Sequence, residues 1–324
     1  MLVPGSVREL LRSHDLHPRK GFGQNFLEDT RYLTKIAEAA DLKSTDLVIE
    51  VGPGLGTLTR ELASRAGRVV AVEIDRDLAA LLREVLGTAG LLAKEPDQSV
   101  APPPSESSTS EPTSATDSAE PAPAGPLPQA AADPIGVSIV SADILEVDPA
   151  QLSGGRPYKV VANLPYYVTS PVLRRFLEEA SVKPELMVLM VQLEVAERIV
   201  AKPGDLSLLA ISVQFYGTPR IVCRVPASAF YPAPKVDSAV IRVDLFDKPA
   251  VDVEPALFFK VVQAGFSQPR KQLHNAMAQR LWLPKDAAPE LLREAGVDSQ
   301  RRAQTLTLDE WGSICRVLLD RGLL

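Results

Sequence analysis

Cysteine and histidine are scarce in this chain of 324 residues. The two cysteines, Cys223 and Cys315, are far apart and neither belongs to a CxxC pair. This pattern argues against a disulfide framework and against a cysteine-based zinc site. The three histidines, at positions 14, 17 and 274, make no convincing ligand set. We therefore predict no metal centre.

Long hydrophobic runs are also missing. No apolar stretch approaches the roughly 18–20 residues that a membrane-spanning helix needs. The first twenty residues, MLVPGSVRELLRSHDLHPRK, mix charges throughout and lack the apolar core of a signal peptide. We predict a cytoplasmic protein without a membrane segment.

Positive charge is not in excess, since the formal net charge is −6. Residues 88–136 contain seven acidic residues and one lysine, a balance of −6, so the rest of the chain sums to zero. The negative total therefore does not argue against a nucleic-acid partner. A neutral remainder does predict only a modest non-specific affinity for one.

Residues 88–136 also lack aromatic side chains, and within them residues 99–126 have no helical or strand periodicity. The whole stretch contains ten of the 28 prolines, ten alanines and seven serines. Such a segment cannot bury enough apolar surface to offset the entropy of ordering it. We predict a disordered insertion. A docking tail for another protein is the functional alternative.

The remainder of the chain alternates between strand and helix patterns. Continuous apolar runs, typical of buried strands, are separated by segments with helical spacing, which predicts a parallel sheet covered on both faces. Two later segments, ISVQFYG (211–217) and VDSAVIRVDL (236–245), predict strands that close the sheet. The runs are DLVIEV (46–51), RVVAVEI (68–74), VSIVSAD (137–143), YKVVANL (158–164) and LMVLMVQ (186–192), with helices over 57–66, over 77–87 and near VLRRFLEEA (172–180).

Strand patterns stop after Pro249. The segments ALFFKVVQAGF (256–266), QLHNAMAQRL (272–281) and LDEWGSICRVLLDRGL (308–323) have the spacing of amphipathic helices. We therefore predict an α/β domain over residues 1–248 and a small helical domain over residues 249–324.

A glycine-rich turn follows the first predicted strand. The strand DLVIEV runs into GPGLG (residues 52–56) and then into a helix, an arrangement that lets backbone approach a nucleotide closely. Glu73 ends the next strand, where its carboxylate can accept hydrogen bonds from both hydroxyls of a ribose. The spacing GxGxG, with Gly52 and Gly54, differs from the GxGxxG of dinucleotide sites and favours S-adenosylmethionine, which has no pyrophosphate. A tight turn with an edge carboxylate and no ligand is the alternative.

Asp143 ends the third predicted strand. A carboxylate at this place can accept a hydrogen bond from the adenine amino group of the cofactor. Aspartate is also well suited to cap the N-terminus of a helix. The position along the sheet favours the ligand role.

The sequence Asn163-Leu164-Pro165-Tyr166 follows the strand YKVVA directly. An exocyclic adenine amine is a poor nucleophile, and hydrogen bonds to the Asn163 side-chain carbonyl and the Leu164 backbone carbonyl can orient it for attack on a sulfonium methyl. Pro165 fixes the chain, and Tyr166 offers a flat face to an adenine that has left its stack. The chemistry needs no strong base. A strand that merely ends in a turn is the alternative.

Six ordered motifs complete the pattern: GQNFL, EVGPGLGTLT, VEIDRDL, NLPYYVTSP, QLEVAERI and FYPAPKVDSAV. Together they resemble the ribosomal RNA adenine dimethyltransferase family over nearly the whole chain outside the insertion. The resemblance implies a Rossmann-like class I methyltransferase sheet. It also implies that Asn25, Leu27 and the matches already named (Gly52, Glu73, Asp143 and Asn163) line the cofactor pocket.

The same resemblance implies that Phe230 covers the second face of the target adenine. From the residues alone, Phe230 could equally belong to the core.

KGFGQNFL and GFSQPRKQLHNAM resemble the housekeeping branch of the family. That branch dimethylates N6 of two adjacent adenines near the 3′ end of small-subunit rRNA, within an immature 30S subunit. Resistance methyltransferases of large-subunit rRNA and non-catalytic assembly factors are the alternatives. We expect a monomer.

Four cations are candidate contacts for RNA phosphates: Arg19, Lys20, Arg270 and Lys271. Exposed lysine and arginine side chains that are simply solvated are the alternative. Leu193 stands where the family pattern has lysine. A segment that is more basic in the family is interrupted here by Pro269, Gln272 and His274.

Overall fold

The computed structural model describes residues 7–19, 21, 23–93, 136–284 and 286–323. Lys20 and most of the predicted insertion lie outside these residues. Within them, no helix is long and apolar enough to cross a membrane, and Cys223 and Cys315 are free.

A seven-stranded sheet forms the centre of the α/β part. Its spatial order is β4-β3-β2-β5-β6-β9-β7, where the first five strands are parallel and β9 pairs antiparallel with both β6 and β7. A separate two-stranded antiparallel ribbon consists of β1 and β8. The bounds are β1 Phe26–Leu27, β2 Leu47–Val51, β3 Arg68–Glu73, β4 Gly136–Ser141, β5 Lys159–Asn163, β6 Leu186–Gln192, β7 Gly217–Val225, β8 Phe230–Tyr231 and β9 Ser238–Leu245.

Twelve α-helices accompany the strands in the described part of the chain. A π-helical turn, Arg175–Glu179, continues α6. The bounds are α1 Val7–Ser13, α2 Thr30–Ala39, α3 Thr57–Ala63, α4 Arg76–Thr88, α5 Pro149–Ser153, α6 Thr169–Arg174, α7 Leu193–Ile199, α8 Leu208–Gln214, α9 Pro255–Phe266, α10 Leu273–Arg280, α11 Ala287–Glu294 and α12 Leu308–Asp320.

The sequence of the central strands explains their position. All five residues of β2 are buried, as are six of the seven residues of β6, because helices cover both faces of the sheet. The chain passes from β2 to β3 and β4 on one side and then returns to β5 on the other. In parallel α/β sheets this reversal opens a cleft at the carboxyl ends of the strands, where ligands bind. The cleft here lies beyond β2 and β5.

The strand predicted over ISVQFYG is wrong, because residues 208–214 form α8. The side chain of Ser207 caps the helix by accepting from Ala210 N–H at 3.2 Å. Ile211 packs into the C-terminal helical core, whereas Val213 packs against the sheet. Burial on two sides makes buried apolar residues alternate with polar ones, as they do in a strand, and hides the helical period. The strand begins only at Gly217.

The C-terminal helices α9 to α12 surround a core of their own. Trp311 and Phe258 are fully buried there. The core also includes Phe215, whose ring stacks on Phe258 with centroids 4.4 Å apart. Residues near α8 therefore pack with the helices that follow Pro255. The boundary at residue 248 stays a prediction.

The predicted limits of the insertion were too wide. Thr88 is still helical, Leu92 pairs with Val137, and Gly136 is the first residue of β4. These residues belong to the folded domain because they extend the edge of its sheet. The remaining stretch, 94–135, lies outside the described residues.

Removing residues 94–135 should leave thermal unfolding near wild type when a short Gly-Ser linker replaces them. The two flanking residues lie side by side, since a Cβ at Gly136 would stand 3.0 Å from the Ala93 nitrogen. The matched control is removal of residues 88–136, which also deletes the pairing and side chain of Leu92. That variant should lose at least about 2 kcal/mol of unfolding free energy. Equal stability of the two deletions in denaturant titrations would contradict this view of the boundary.

Candidate active site

The glycine-rich turn stands at the carboxyl end of β2, in the cleft. Gly52, Gly54 and Gly56 have φ values of 68°, 55° and 77°, in the left-handed region that favours glycine. A Cβ on Gly56 would come within 2.5 Å of the Leu82 side chain, and one on Gly54 within 3.1 Å of the Phe26 ring. The turn therefore needs glycine both for its backbone and for its close packing.

Glu73, the last residue of β3, is held against this turn. Its two carboxylate oxygens accept from Gly54 N–H at 3.1 Å and from Asp75 N–H at 3.0 Å. Burial raises the pKa of Glu73, while these backbone donors act in the opposite direction. The side chain is 5% exposed. Two fixed donors orient the carboxylate and leave further lone pairs on both oxygens.

Asp143 follows β4 and lies in a turn, so the helix-cap alternative is not what the structure has. Its side chain accepts from Leu145 N–H at 2.9 Å. The next helix, α5, begins only at Pro149 and is capped by Asp148. The Asp143 carboxylate is thus oriented at the edge of the cleft by its own turn.

The side chain of Glu50 is a part of the site that sequence reasoning missed. Glu50 lies inside β2, is 1% exposed, and its Oε2 atom has no hydrogen-bond partner among the described residues. Burial raises its pKa to about 8, and the Glu73 carboxylate adds to the rise, although the nearby Thr59 side chain opposes it. An acidic residue within the apolar run DLVIEV was the available signal.

The four residues from the end of β5, Asn163 to Tyr166, bring the predicted chemistry to the opposite wall of the cleft. The Asn163 side-chain nitrogen donates to the Asn25 carbonyl at 3.4 Å, which leaves its oxygen free to accept. Leu164 is tied to β6, since its N–H donates to the Met190 carbonyl at 3.3 Å. In the described part of the chain, no hydrogen bond reaches the Leu164 carbonyl.

Tyr166 is fixed by the start of β9. Its hydroxyl and that of Ser238 are 2.8 Å apart, and Ser238 is fully buried. Burial raises the pKa of Tyr166, so the phenol stays neutral. Pro165 before it is extended, with φ −55° and ψ 135°. The ring is therefore anchored at its hydroxyl end.

The ribbon of β1 and β8 joins two distant motifs at the cleft. Leu27 pairs with Phe230, and Glu28 N–H donates to the Ala229 carbonyl at 3.0 Å. This pairing carries Asn25 to the end of β5. Phe230 is 5% exposed and packs into a core cluster, and it also lines the cavity in the cleft. The structure is compatible with both predictions for this residue.

One cavity of about 270 Å³ collects these side chains. Every residue predicted for catalysis or cofactor binding lines it, together with Glu50. They are Asn25, Leu27, Gly52, Gly54, Glu73, Asp143, Asn163, Leu164, Pro165, Tyr166 and Phe230.

Comparison with known proteins agrees with this arrangement. A family model described as "Ribosomal RNA adenine dimethylase" matches residues 16–94 and 130–319. The chain belongs to this family. The predicted relationship and enzyme class are thereby confirmed, and the cofactor of a ribosomal RNA adenine dimethylase is S-adenosylmethionine, as predicted.

Two curated relatives of this dimethylase are both named ribosomal RNA small subunit methyltransferase A. The one from Dehalococcoides mccartyi strain 195 is 44% identical and covers 97% of this chain and 93% of the relative. The one from Pelotomaculum thermopropionicum is 42% identical, and the match covers 98% of this chain and 97% of the relative.

Solved structures agree with the predicted fold class. The 23S rRNA methyltransferase ErmE has a TM-score of 0.61 at 26% identity, with 91% of this chain and 99% of that chain covered. A dimethyladenosine transferase from Plasmodium falciparum has a TM-score of 0.67 at 22% identity, with 92% and 98% covered, and shows the fold alone. The Rossmann-like class I methyltransferase sheet is confirmed.

The chemistry of the cavity fits S-adenosylmethionine. This cofactor carries an ammonium group, ribose hydroxyls and an adenine amine, all of which donate hydrogen bonds. The cavity offers three carboxyl groups to accept them, from Glu50, Glu73 and Asp143. Oε2 of Glu50 is buried without a partner of its own. A group that donates and carries positive charge would satisfy it.

The predicted RNA contacts of the dimethylase lie elsewhere. Arg19 is paired with Asp75 at 3.2 Å and with Asp77 at 2.6 Å, so a local structural role competes with a phosphate contact. Arg270 and Lys271 are exposed in the loop between α9 and α10. None of the three lines the cavity. Lys20 is outside the described residues.

Proposed function

We propose that this protein transfers methyl groups from S-adenosylmethionine to N6 of two adjacent adenines near the 3′ end of small-subunit rRNA, within an immature 30S subunit. One observation carries the proposal: acceptors for a cofactor and acceptors for an adenine amine line the same cavity. The names of the curated relatives support the small subunit as substrate. We further propose that the protein acts in the cytoplasm as a monomer.

The cofactor half of the cavity is the glycine-turn side. When bound, S-adenosylmethionine supplies an electrophilic methyl group on a sulfonium centre. Glu73, fixed by Gly54 N–H, accepts from the ribose hydroxyls, and Asp143 accepts from the adenine amine of the cofactor. Glu50 faces the remaining positive charge. Asn25 and Leu27, on the ribbon side, close the pocket and exclude water.

The substrate half is the side formed by β5 and β8. Asn163 and Leu164 offer two carbonyl oxygens to the two N–H groups of the target amine, which orients the nitrogen and favours a localised lone pair during attack. Tyr166 and Phe230 offer aromatic faces, which replace part of the stacking that the base loses when it leaves the RNA. The methylated nitrogen loses its proton to water, so no basic side chain is required.

The test is a methylation assay with labelled cofactor. Immature small subunits and large-subunit RNA are incubated separately with the protein, and the RNA is then digested to nucleosides. We expect labelled N6,N6-dimethyladenosine in the small-subunit sample alone. Label confined to large-subunit RNA would establish the resistance-type activity instead, and the absence of dimethyladenosine from both would leave an assembly factor.

A further inference from the structure

Trp282 differs from every other large apolar side chain among the described residues. It is 91% exposed, whereas Trp311, the second tryptophan, is fully buried. It lies two residues after the end of α10, on the helical part of the protein. A fully exposed indole places a large apolar surface in water, which is unfavourable unless the surface contacts a partner.

The backbone at Trp282 is also unusual. Its φ is 56°, in the left-handed region where a bulky residue is an outlier and glycine is the usual choice after a helix. The flanking residues hold this turn: Leu281 N–H donates to the Met277 carbonyl at 2.9 Å and Leu283 N–H to the Ala278 carbonyl at 3.0 Å. Leu283 is buried while the indole points outward. The chain thus keeps tryptophan where glycine would be less strained.

The segment that ends just after Trp282 is basic in sequence. Residues 255–284 contain no aspartate or glutamate, although the chain as a whole has more acidic than basic residues. Their four basic residues are Lys260, Arg270, Lys271 and Arg280, all exposed. None of the four forms an ion pair with another described residue.

A side-chain contact joins two parts of this region. Gln268, in the loop after α9, donates to Gln279 in the last turn of α10. The loop that carries Arg270 and Lys271 is therefore held against the helix end that carries Arg280. Trp282 follows directly. We call Arg270, Lys271, Arg280 and Trp282 together the cationic indole surface.

We propose that the cationic indole surface binds the RNA substrate, with an unpaired base stacked on Trp282 and phosphates placed by the arginines and the lysine. The proposal rests on the proposed function, since it takes RNA as the partner. RNA offers both a ring face and negative charge, which match the two features of this surface. An apolar protein partner would leave the uncompensated cations without a counterpart.

The fluorescence of the wild-type protein provides a direct test. Because Trp311 is buried, neutral acrylamide should quench mainly Trp282 in the free protein. Saturating deproteinised small-subunit rRNA should protect Trp282 from acrylamide. Unchanged quenching under conditions where RNA is fully bound would overturn the proposal. Protection by immature 30S particles but not by naked RNA would also overturn it, because the partner would then be a ribosomal protein. Protection that grows with protein concentration in the absence of RNA would overturn it as well, because it indicates self-association.

Substitutions complete the test in the full-length protein. Trp282→Ala should weaken RNA binding about tenfold, the scale of one lost stack on an aromatic ring. It should raise KM for RNA while kcat at saturating RNA is unchanged. Trp282→Phe should recover most of the loss, and Trp282→Gly should bind as weakly as the alanine variant although its backbone is relaxed. Leu319→Ala, another exposed apolar residue of the helical part, is the control.

Wild-type affinity in both Trp282→Ala and Trp282→Gly would refute the stacking role. The assay for dimethyladenosine is run in parallel on the wild-type protein. If the wild-type protein methylates the RNA but the Trp282 variants bind RNA normally, only this inference is refuted. Binding and protection without methylation would remove the proposed function and leave the surface in place.

Discussion

Asn163→Ala should slow methyl transfer by about 30- to 1,000-fold, which corresponds to about 2–4 kcal/mol of barrier, the scale of one oriented acceptor lost from a transition state. Asn163 is held by its donor side, since its nitrogen contacts the Asn25 carbonyl, and its oxygen is the group left for the target amine. Alanine removes that oxygen and leaves the cations that we propose to contact RNA unchanged. Affinity for RNA should therefore change little.

Single-turnover rates are the measurement that isolates this step. Asn163 also lines the cavity that we propose to hold the cofactor. The cofactor affinity of each variant is therefore measured by calorimetry, and the reaction is run at saturating cofactor. Asn163→Asp is the matched control, since it keeps an acceptor but loses the donor to the Asn25 carbonyl. It should retain more activity than the alanine variant. A single-turnover rate for Asn163→Ala equal to wild type would remove this residue from the mechanism.

The carboxyl edge of the sheet was the part of the molecule most open to prediction. Parallel strands end at one edge, so Gly52, Glu73, Asp143 and Asn163, each at or just after a strand end, were bound to meet there. The identity of the residues then indicated the chemistry. The local sequence pattern and the sheet topology agree at this edge, which is why short motifs were sufficient to predict that these residues lie together.

Other features depend on packing that no local pattern reveals. The pairing of Leu27 with Phe230 joins residues about two hundred positions apart, and only the family resemblance placed both at one site. The helix α8 was taken for a strand because Ile211 and Val213 are buried on opposite sides, against two different cores. The exposure of Trp282 is likewise invisible in an apolar run. In each case tertiary contacts, and not spacing, decide the outcome.

Glu50 makes the free protein sensitive to pH in a direction opposite to the usual one for carboxylates. Burial raises its pKa from 4.5 to about 8, because the charged form has no hydrogen-bond partner for Oε2 and lies near Glu73. Between these two values the folded protein keeps a proton that the unfolded chain releases. The contribution of Glu50 to the free energy of unfolding is therefore fully present below about pH 4.5, and it is lost as the pH rises towards 8.

Glu50→Gln should abolish this part of the pH dependence. Near pH 5 the variant and the wild type should unfold with similar free energy, since both carry an uncharged side chain. Near pH 8.5 the variant should be more stable by about 3–5 kcal/mol, the value of a shift of this size. Glu73 titrates in both proteins, so the difference between them, not either curve alone, reports on Glu50.

Denaturant titrations from pH 5 to 8.5 without cofactor provide the comparison, with exposed Glu38→Gln as the control for removal of a charge. The control should shift stability by less than about 0.5 kcal/mol at every pH. A constant difference between Glu50→Gln and wild type across the range would mean that Glu50 is already ionised in the free protein. The cavity would then hold a fixed negative charge before the cofactor arrives. A difference that grows with pH places the proton on Glu50 until a positively charged ligand displaces it, and couples cofactor binding to proton release in this pH range.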